Sequence, residues 1–185
     1  MMAADEQQLI LRVKEGSHEA YRVLVERYMR HAYNIAYGFM TDHDDAEDIA
    51  QESFVRIYES IQSFRGEAAF NTWLYRIVAN LSLNRLRQKK STNHKMVTLP
   101  NQTMENVISQ QTDSHNQDIK PILERALHDL PTLQRAVVIL RHLNGLSTKQ
   151  VSTILQCSEG TIKTHLHRGL KKMKLNLSVI KDEVI

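Results

Sequence analysis

Apolar residues recur along this chain every three or four positions, and the stripes break at a few turn-forming residues. Leu9, Ile10 and Val13 make a short amphipathic start that ends near Gly16, and Ser17 or its neighbourhood is placed to cap the next helix. Tyr21, Leu24, Val25, Tyr28, Ala32, Ile35, Ala36 and Phe39 keep the spacing for about five turns. A third stripe, Ala46, Ile49, Ala50, Phe54, Ile57, Tyr58 and Ile61, follows Thr41-Asp-His-Asp-Asp45, whose acids suit a helix N-terminus. The loop 62–67 then leads into the most informative stretch, Phe70 to Lys90. Phe70, Leu74, Ile77, Val78 and Leu81 form its buried stripe, and at ~100° per residue Trp73, Arg76, Asn80, Asn84 and Arg87 share an adjoining strip.

That strip combines a ring, two amides and two guanidiniums, and the helix runs out into Arg85-Leu-Arg-Gln-Lys-Lys90. Amides can hydrogen-bond base edges, a ring can stack on a base, and guanidiniums can hold phosphates. An amphipathic core helix with a solvated basic tail has the same composition, so the strip alone does not separate the two readings.

Residues 91–117 change character. Fifteen of these 27 residues are Ser, Thr, Asn or Gln with no sustained apolar period, which reads as a flexible linker. Extended, it reaches ~90 Å; as a coil it averages roughly 30 Å, enough to let two modules sit a turn or more apart on duplex DNA. Beyond it, Ile122, Leu123, Ala126, Leu127 and Leu130 predict one short helix stopped by Pro131. Leu133, Ala136, Val137, Leu140 and Leu143 predict another that ends at Asn144-Gly145. Ser147 can cap a helix holding Val151, Ile154 and Leu155, and Ser158 can cap the next. In that last helix Ile162, Leu166, Gly169, Leu170 and Met173 are expected to face inward, with Thr161, Thr164, Arg168 and Lys171 opposite. Two short helices joined by a tight turn, the second with a basic outer face, describe a helix-turn-helix.

Composition supports this layout. With 42% hydrophobic residues but only 6 Gly and 3 Pro, the punctuation is too sparse for a strand-and-turn protein. The expected fold is all-α: two small helical domains, 1–90 and 118–185, joined by a flexible linker at 91–117. No run of 18 apolar residues occurs, the start MMAADEQQ is not a secretory signal, and one cysteine excludes an internal disulfide framework. A cytoplasmic protein without membrane insertion is expected. Cys157, beside Leu155 and Ile162, reads as a small buried filler. His165 and His167 sit two apart on a helix and so face different sides, which argues against a shared metal. No phosphate-cradling glycine loop, nucleophile elbow or HExxH is present, so neither an enzyme nor a cofactor is expected.

Charge is unevenly placed behind the net +3. Asp42 to Glu52 holds six acids and no Lys or Arg, whereas Arg85 to Lys90 holds four bases and no acid. Residues 118–185 carry 11 Lys or Arg against 6 acids. Such patches suggest two different partners, one of them an anion.

Three stretches together resemble the extracytoplasmic-function group of bacterial sigma factors. They are Asp45-Ala-Glu-Asp-Ile-Ala-Gln-Glu-Ser-Phe54-Val-Arg-Ile-Tyr58, then Phe70-Asn-Thr-Trp-Leu74 with Ile77-Val-Ala-Asn80, then Asn144-Gly-Leu-Ser147 with Gly160-Thr-Ile-Lys163 and Leu166-His-Arg168. They follow in the order and spacing of that family over nearly the whole chain. The resemblance implies a promoter-specificity subunit of bacterial RNA polymerase that binds core polymerase and promoter DNA. It also implies an anti-sigma partner wedged between the domains. In the family, the helix matching Asp45–Tyr58 binds the polymerase clamp, which makes Asp45, Glu47, Asp48, Gln51, Glu52, Phe54 and Tyr58 the candidates here. The helix matching Thr72–Lys90 opens the minus-ten element, and the loop matching Ser63–Ala69 helps hold a flipped-out base. The corresponding set is Phe64, Arg65, Trp73, Arg76, Asn80, Asn84, Arg85, Arg87, Lys89 and Lys90. The helix matching Ser158–Met173 enters the major groove of the minus-thirty-five element with Ser158, Glu159, Gly160, Thr161, Lys163, Thr164, His165, Arg168, Lys171 and Lys172.

Some positions depart from the family pattern. Asn84 stands where an acid is frequent, Ser152 and Gln156 replace Ala and Gly, and Thr164-His165 replaces a Ser-Arg pair. These put the promoter sequence in doubt rather than the role. A free-standing helix-turn-helix regulator is the main alternative, and an RNA-binding adaptor a further one. The first leaves the acidic helix and the Trp/Asn/Arg strip unexplained.

Overall fold

Caps and turn residues set the helix boundaries along the chain, which the computed structural model describes over residues 4–95 and 119–184. Helix α1 spans Ala4–Lys14, and α2 runs His18–Met40 with Ser17 Oγ accepting the Ala20 amide at 3.2 Å. Helix α3, His43–Ser60, starts beneath Asp42, whose carboxylate accepts the Asp45 amide at 2.9 Å. A 3-10 turn, Ile61–Ser63, leads through a loop into α4, Phe70–Lys95. The first five residues of the expected linker, 91–95, are therefore helical, and the rest of it lies outside the described residues.

The second half contains α5 (Ile119–His128), α6 (Thr132–Val138), a π turn (Ile139–Leu143), α7 (Thr148–Leu155) and α8 (Glu159–Val184). Ser147 and Gln150 form a reciprocal capping box at α7: the Gln150 amide donates to Ser147 Oγ at 3.2 Å and the Ser147 amide to Gln150 Oε1 at 2.8 Å. Every regular element among the described residues is helical, as the periodicity predicts.

One connected apolar core results, and it runs through both modules. In the front module Leu24, Ile35, Phe39, Ile49, Ile57, Phe70, Leu74 and Val78 are fully buried; in the rear module Ile139, Leu140, Ile154 and Ile162 are. Four residues expected inside are exposed instead: Tyr58, Leu133, Leu143 and Leu170. Leu143 lies in the π turn, whose wider pitch moves it out of phase with Leu140. Leu170 sits at the rim because Gly169 takes the centre of the contact. A Cβ on Gly169 would lie 2.9 Å from Val138 Cγ2, so its absence lets α8 lie directly on α6.

The tether suggests modules that stand apart, but here they share a seam. Helix α4 packs on α2 and α3 and also on α6 and α7. It manages both because it carries a second buried stripe, Tyr75, Ala79, Ser82 and Leu83, rotated away from the first. At the C-terminal end of α2, Gly38 brings the helix backbone against Ile139, and a Cβ there would lie 3.3 Å from Ile139 Cγ2. Arg135, only 7% exposed, donates through Nη1 to the Phe39 carbonyl at 3.0 Å and through Nη2 to the His128 carbonyl. Both carbonyls lie in the last turns of helices, where the dipole is negative, so a cation bridges two modules without a carboxylate. Burial lowers the Arg135 pKa, an effect Asp129 opposes. Longer polar contacts complete the seam: Tyr75 Oη to Asn144 Oδ1 and Gln150 Nε2 to Thr72 Oγ1, each 3.4 Å.

Candidate nucleic-acid interface and its acidic neighbour

Helix α4 shows the predicted strip to solvent. Arg76, Asn80, Asn84 and Arg87 are exposed along one side, and the Arg87 guanidinium donates to Asn84 Oδ1 at 3.1 Å. Trp73 is half-buried: its ring centroid lies 4.9 Å from Phe64 and 5.8 Å from Phe70. Phe64 is itself buried against the tryptophan, while Arg65 on the same loop is exposed beside Glu67. Two contacts that the sequence does not signal hold the loop root. Lys14 Nζ donates to the Phe64 carbonyl at 2.5 Å, and Gln62 Nε2 donates to the Lys14 carbonyl at 2.6 Å. An exposed amide-and-guanidinium strip beside a braced ring can stack on a base, bond its edge and hold its phosphates.

The basic tail and the acidic helix, expected to serve different partners, meet each other. Arg85 Nη2 lies 3.4 Å from Asp48 Oδ2, and Lys89 pairs with Asp45. The Lys90 side chain lies outside the described residues. On α3, Glu47, Asp48, Gln51, Glu52 and Tyr58 are exposed, whereas Phe54 is core. Tyr21 Oη donates to the Phe54 carbonyl at 2.6 Å, and burial, with Tyr58 nearby, pushes the Tyr21 phenol up to about 12. Two features of this face escape a stripe-based reading. Val55 is exposed between the acids, and α2 supplies Met29, Arg30 and Tyr33 to a shallow groove shared with Glu47, Ala50 and Gln51.

At the start of α8, Ser158 Oγ accepts the Thr161 amide at 3.1 Å and lies 2.9 Å from the Thr161 hydroxyl. Thr164 Oγ1 donates to the Gly160 carbonyl at 2.9 Å. Glu159, Gly160, Lys163, Thr164, Arg168 and Lys171 are exposed, Thr161 is partly so, and nothing but Ser158 Oγ, at 3.7 Å, approaches a Cβ built on Gly160. The first turn can therefore lie close to another surface. His165 is half-buried with Nδ1 unpartnered, whereas Lys172 is exposed and donates to the Asp129 carbonyl at 2.8 Å. Among the described residues no three His, Cys, Asp or Glu side chains gather to hold a metal, and no helix is long and apolar enough to cross a membrane.

Comparison with known proteins finds two matches along the chain, one in each half. Residues 24–92 match the family model of Sigma-70 region 2, and residues 121–173 match that of Sigma-70, region 4. The chain is 31% identical over 176 residues to the ECF RNA polymerase sigma factor SigW of Bacillus subtilis, covering 91% of this chain and 94% of that one. It is 30% identical over 172 residues to the ECF RNA polymerase sigma-E factor of Haemophilus influenzae, covering 89% and 90%. Two solved structures share the fold. The sigma factor RpoE in complex with the anti-sigma factor NepR from Bartonella quintana gives a TM-score of 0.69 at 22% identity, over 86% of this chain and 97% of that one. CnrH in complex with the cytosolic domain of CnrY gives 0.65 at 21% identity, over 92% and 96%.

Proposed function

The chain belongs to the ECF RNA polymerase sigma factors, and on that premise we propose how its surfaces divide the work of an alternative sigma factor directing transcription initiation. It binds core RNA polymerase and promoter DNA and acts in the cytoplasm as an initiation factor rather than as an enzyme. The front module, residues 1–90, offers the exposed acids of α3 together with Tyr58 to the polymerase. Its α4 strip takes the opened minus-ten strand: Trp73 is the stacking surface, Asn80 and Asn84 bond base edges, and Arg76, Arg85, Arg87, Lys89 and Lys90 hold the backbone. Unstacking a base costs a few kcal/mol, offset by its capture on this strip.

The rear module, residues 118–185, reads intact minus-thirty-five duplex through α8. Lys163, Thr164, Arg168 and Lys171 form its exposed row, with Ser158, Glu159, Gly160 and Thr161 at the approaching end. Elements 25 base pairs apart lie ~85 Å apart on straight duplex, whereas a compact chain of this length has a radius of gyration of only ~16 Å. The seam must therefore part before both elements are held, and residues 91–117 are long enough to let it. An anti-sigma partner, as family membership implies, would wedge between the two modules and cover their polymerase- and DNA-binding faces.

The observation that carries this reading is the exposed amide, guanidinium and ring strip on α4 coupled in one chain to a capped helix-turn-helix. Run-off transcription with the purified chain, core polymerase and genomic fragments of the host tests it. Transcripts starting at defined sites only when both proteins are present are expected. A chain that ignores core polymerase and binds its DNA target fully alone is instead a free-standing regulator.

A further inference from the structure

Two of the four basic residues at the end of α4 are already occupied. Asp45 and Asp48 lie one turn apart on α3, and Lys89 and Arg85 lie one turn apart on α4, so the two ion pairs form in register across the helix contact. Asp45 is the less solvated acid, its side chain 14% exposed against 66% for Asp48. Both acids belong to the face assigned above to polymerase, and both cations to the face assigned to the promoter backbone. Resting on that reading, we infer that Asp45 and Asp48 are a shield: in the free chain they neutralise Lys89 and Arg85, and a cationic polymerase surface that takes the acids releases those cations to DNA phosphates.

The exchange couples the two partners without any change of fold. Whatever competes for the carboxylates raises affinity for a phosphate backbone, and by reciprocity a bound backbone raises affinity for polymerase. Exposed pairs of this kind are weak, so each withholds about threefold in affinity and the two together about tenfold. That modest size suits an exchange that has to be reversible. Arg76 and Arg87 make no ion pair within the described residues, so a weak basal affinity for a backbone remains.

The test uses the full-length chain without polymerase and a fluorescently labelled 12-nucleotide single strand of mixed sequence, because backbone cations are indifferent to bases. Anisotropy titrations compare the parent chain with Asp45→Asn/Asp48→Asn, each in the native background and in one carrying Arg85→Gln/Lys89→Gln. Glu59→Gln is the control for mere loss of charge: it lies on the same helix but pairs with Arg56, not with α4. The double Asn variant is expected to bind about tenfold tighter, with a salt slope steeper by about 0.7 for each freed cation. That gain is expected to vanish in the Gln background, and Glu59→Gln is expected to stay within about twofold of the parent. A gain no larger than that of Glu59→Gln, or one that persists without Arg85 and Lys89, overturns the shield. Run-off transcription by the parent chain is a separate measurement that none of these variants enters, so a failed shield is distinguishable from a failed sigma-factor assignment.

Discussion

Gly38→Leu is the sharpest perturbation of the seam, because it strengthens one module while wedging the two apart. Gly38 lies in the last turns of α2, and a Cβ there already meets Ile139 Cγ2 at 3.3 Å. Ile139 is fully buried and has little room to give, so the further carbons are forced into the cleft that Gly38 lines with Tyr37, Leu123 and Leu127 between the modules. Overpacking of this kind costs about 1–3 kcal/mol. Leucine is the better helix former by about 0.8 kcal/mol, so α2 itself is not weakened. The whole penalty falls on the closed arrangement and lowers the closed-to-open ratio by about 5- to 150-fold. Small-angle scattering reads this directly: the closed chain is expected near ~16 Å in radius of gyration, and modules separated by a coil of roughly 30 Å give a distinctly larger value. Helical circular dichroism should stay at the parent level. An unchanged scattering profile for Gly38→Leu, or a parent chain already expanded, refutes the seam as the resting arrangement.

Backbone strain gives a second expectation: Gln156 ends α7 at a φ of +53°, and Gln156→Gly is expected to stabilise the rear module by about 1 kcal/mol in thermal melts. Gly169→Ala is expected to lose about 1 kcal/mol, since its Cβ would lie 2.9 Å from Val138 Cγ2, whereas Gly160→Ala, with nothing closer than 3.7 Å, is expected not to destabilise. Burial lowers the pKa of His31, whose Nε2 is buried without a partner and whose ring stands edge-on to Tyr75 at 5.1 Å. The unfolded chain then takes up the proton first, so stability is complete above the ordinary value of 6.5 and falls as pH drops through it towards the folded pKa. Urea midpoints should decline between about pH 7.5 and 5.5, and His31→Phe should remove part of that slope.

The helices and their caps were legible because apolar spacing and short polar caps are local signals. Ser17, Ser147 and Ser158 cap where the pattern places them, and the acidic run before α3 supplies its cap through Asp42. The exposed strip on α4 was legible for the same reason: Arg76, Asn80, Asn84 and Arg87 follow from 100° per residue. The seam was not. Its stripe on α4 is built from a tyrosine, an alanine, a serine and a leucine, too mixed to read as a second buried face. Its buried cation, Arg135, contradicts the rule that charge lies outside, and only the helix C-termini it meets explain it. The ion pairs between α3 and α4 join positions 37 and 44 residues apart, so two patches that read as serving separate partners turn out to face each other. Leu143 and Leu170 show a further limit, since a π turn and a glycine contact shift the phase of a stripe without any mark in apolar spacing.

The central claim is that the exposed strip of α4 captures a base from melted promoter DNA, and permanganate reactivity of minus-ten thymines tests it most directly. The assay compares the parent chain with Asn80→Ala on a promoter found by run-off transcription, each with core polymerase present. Asn80 is exposed, so its loss leaves the core of the module intact. We expect reactive thymines with the parent chain and a footprint weakened about tenfold with Asn80→Ala, in line with roughly 1–3 kcal/mol for a lost base contact, while both chains bind core polymerase equally. A wild-type footprint from Asn80→Ala would contradict the claim.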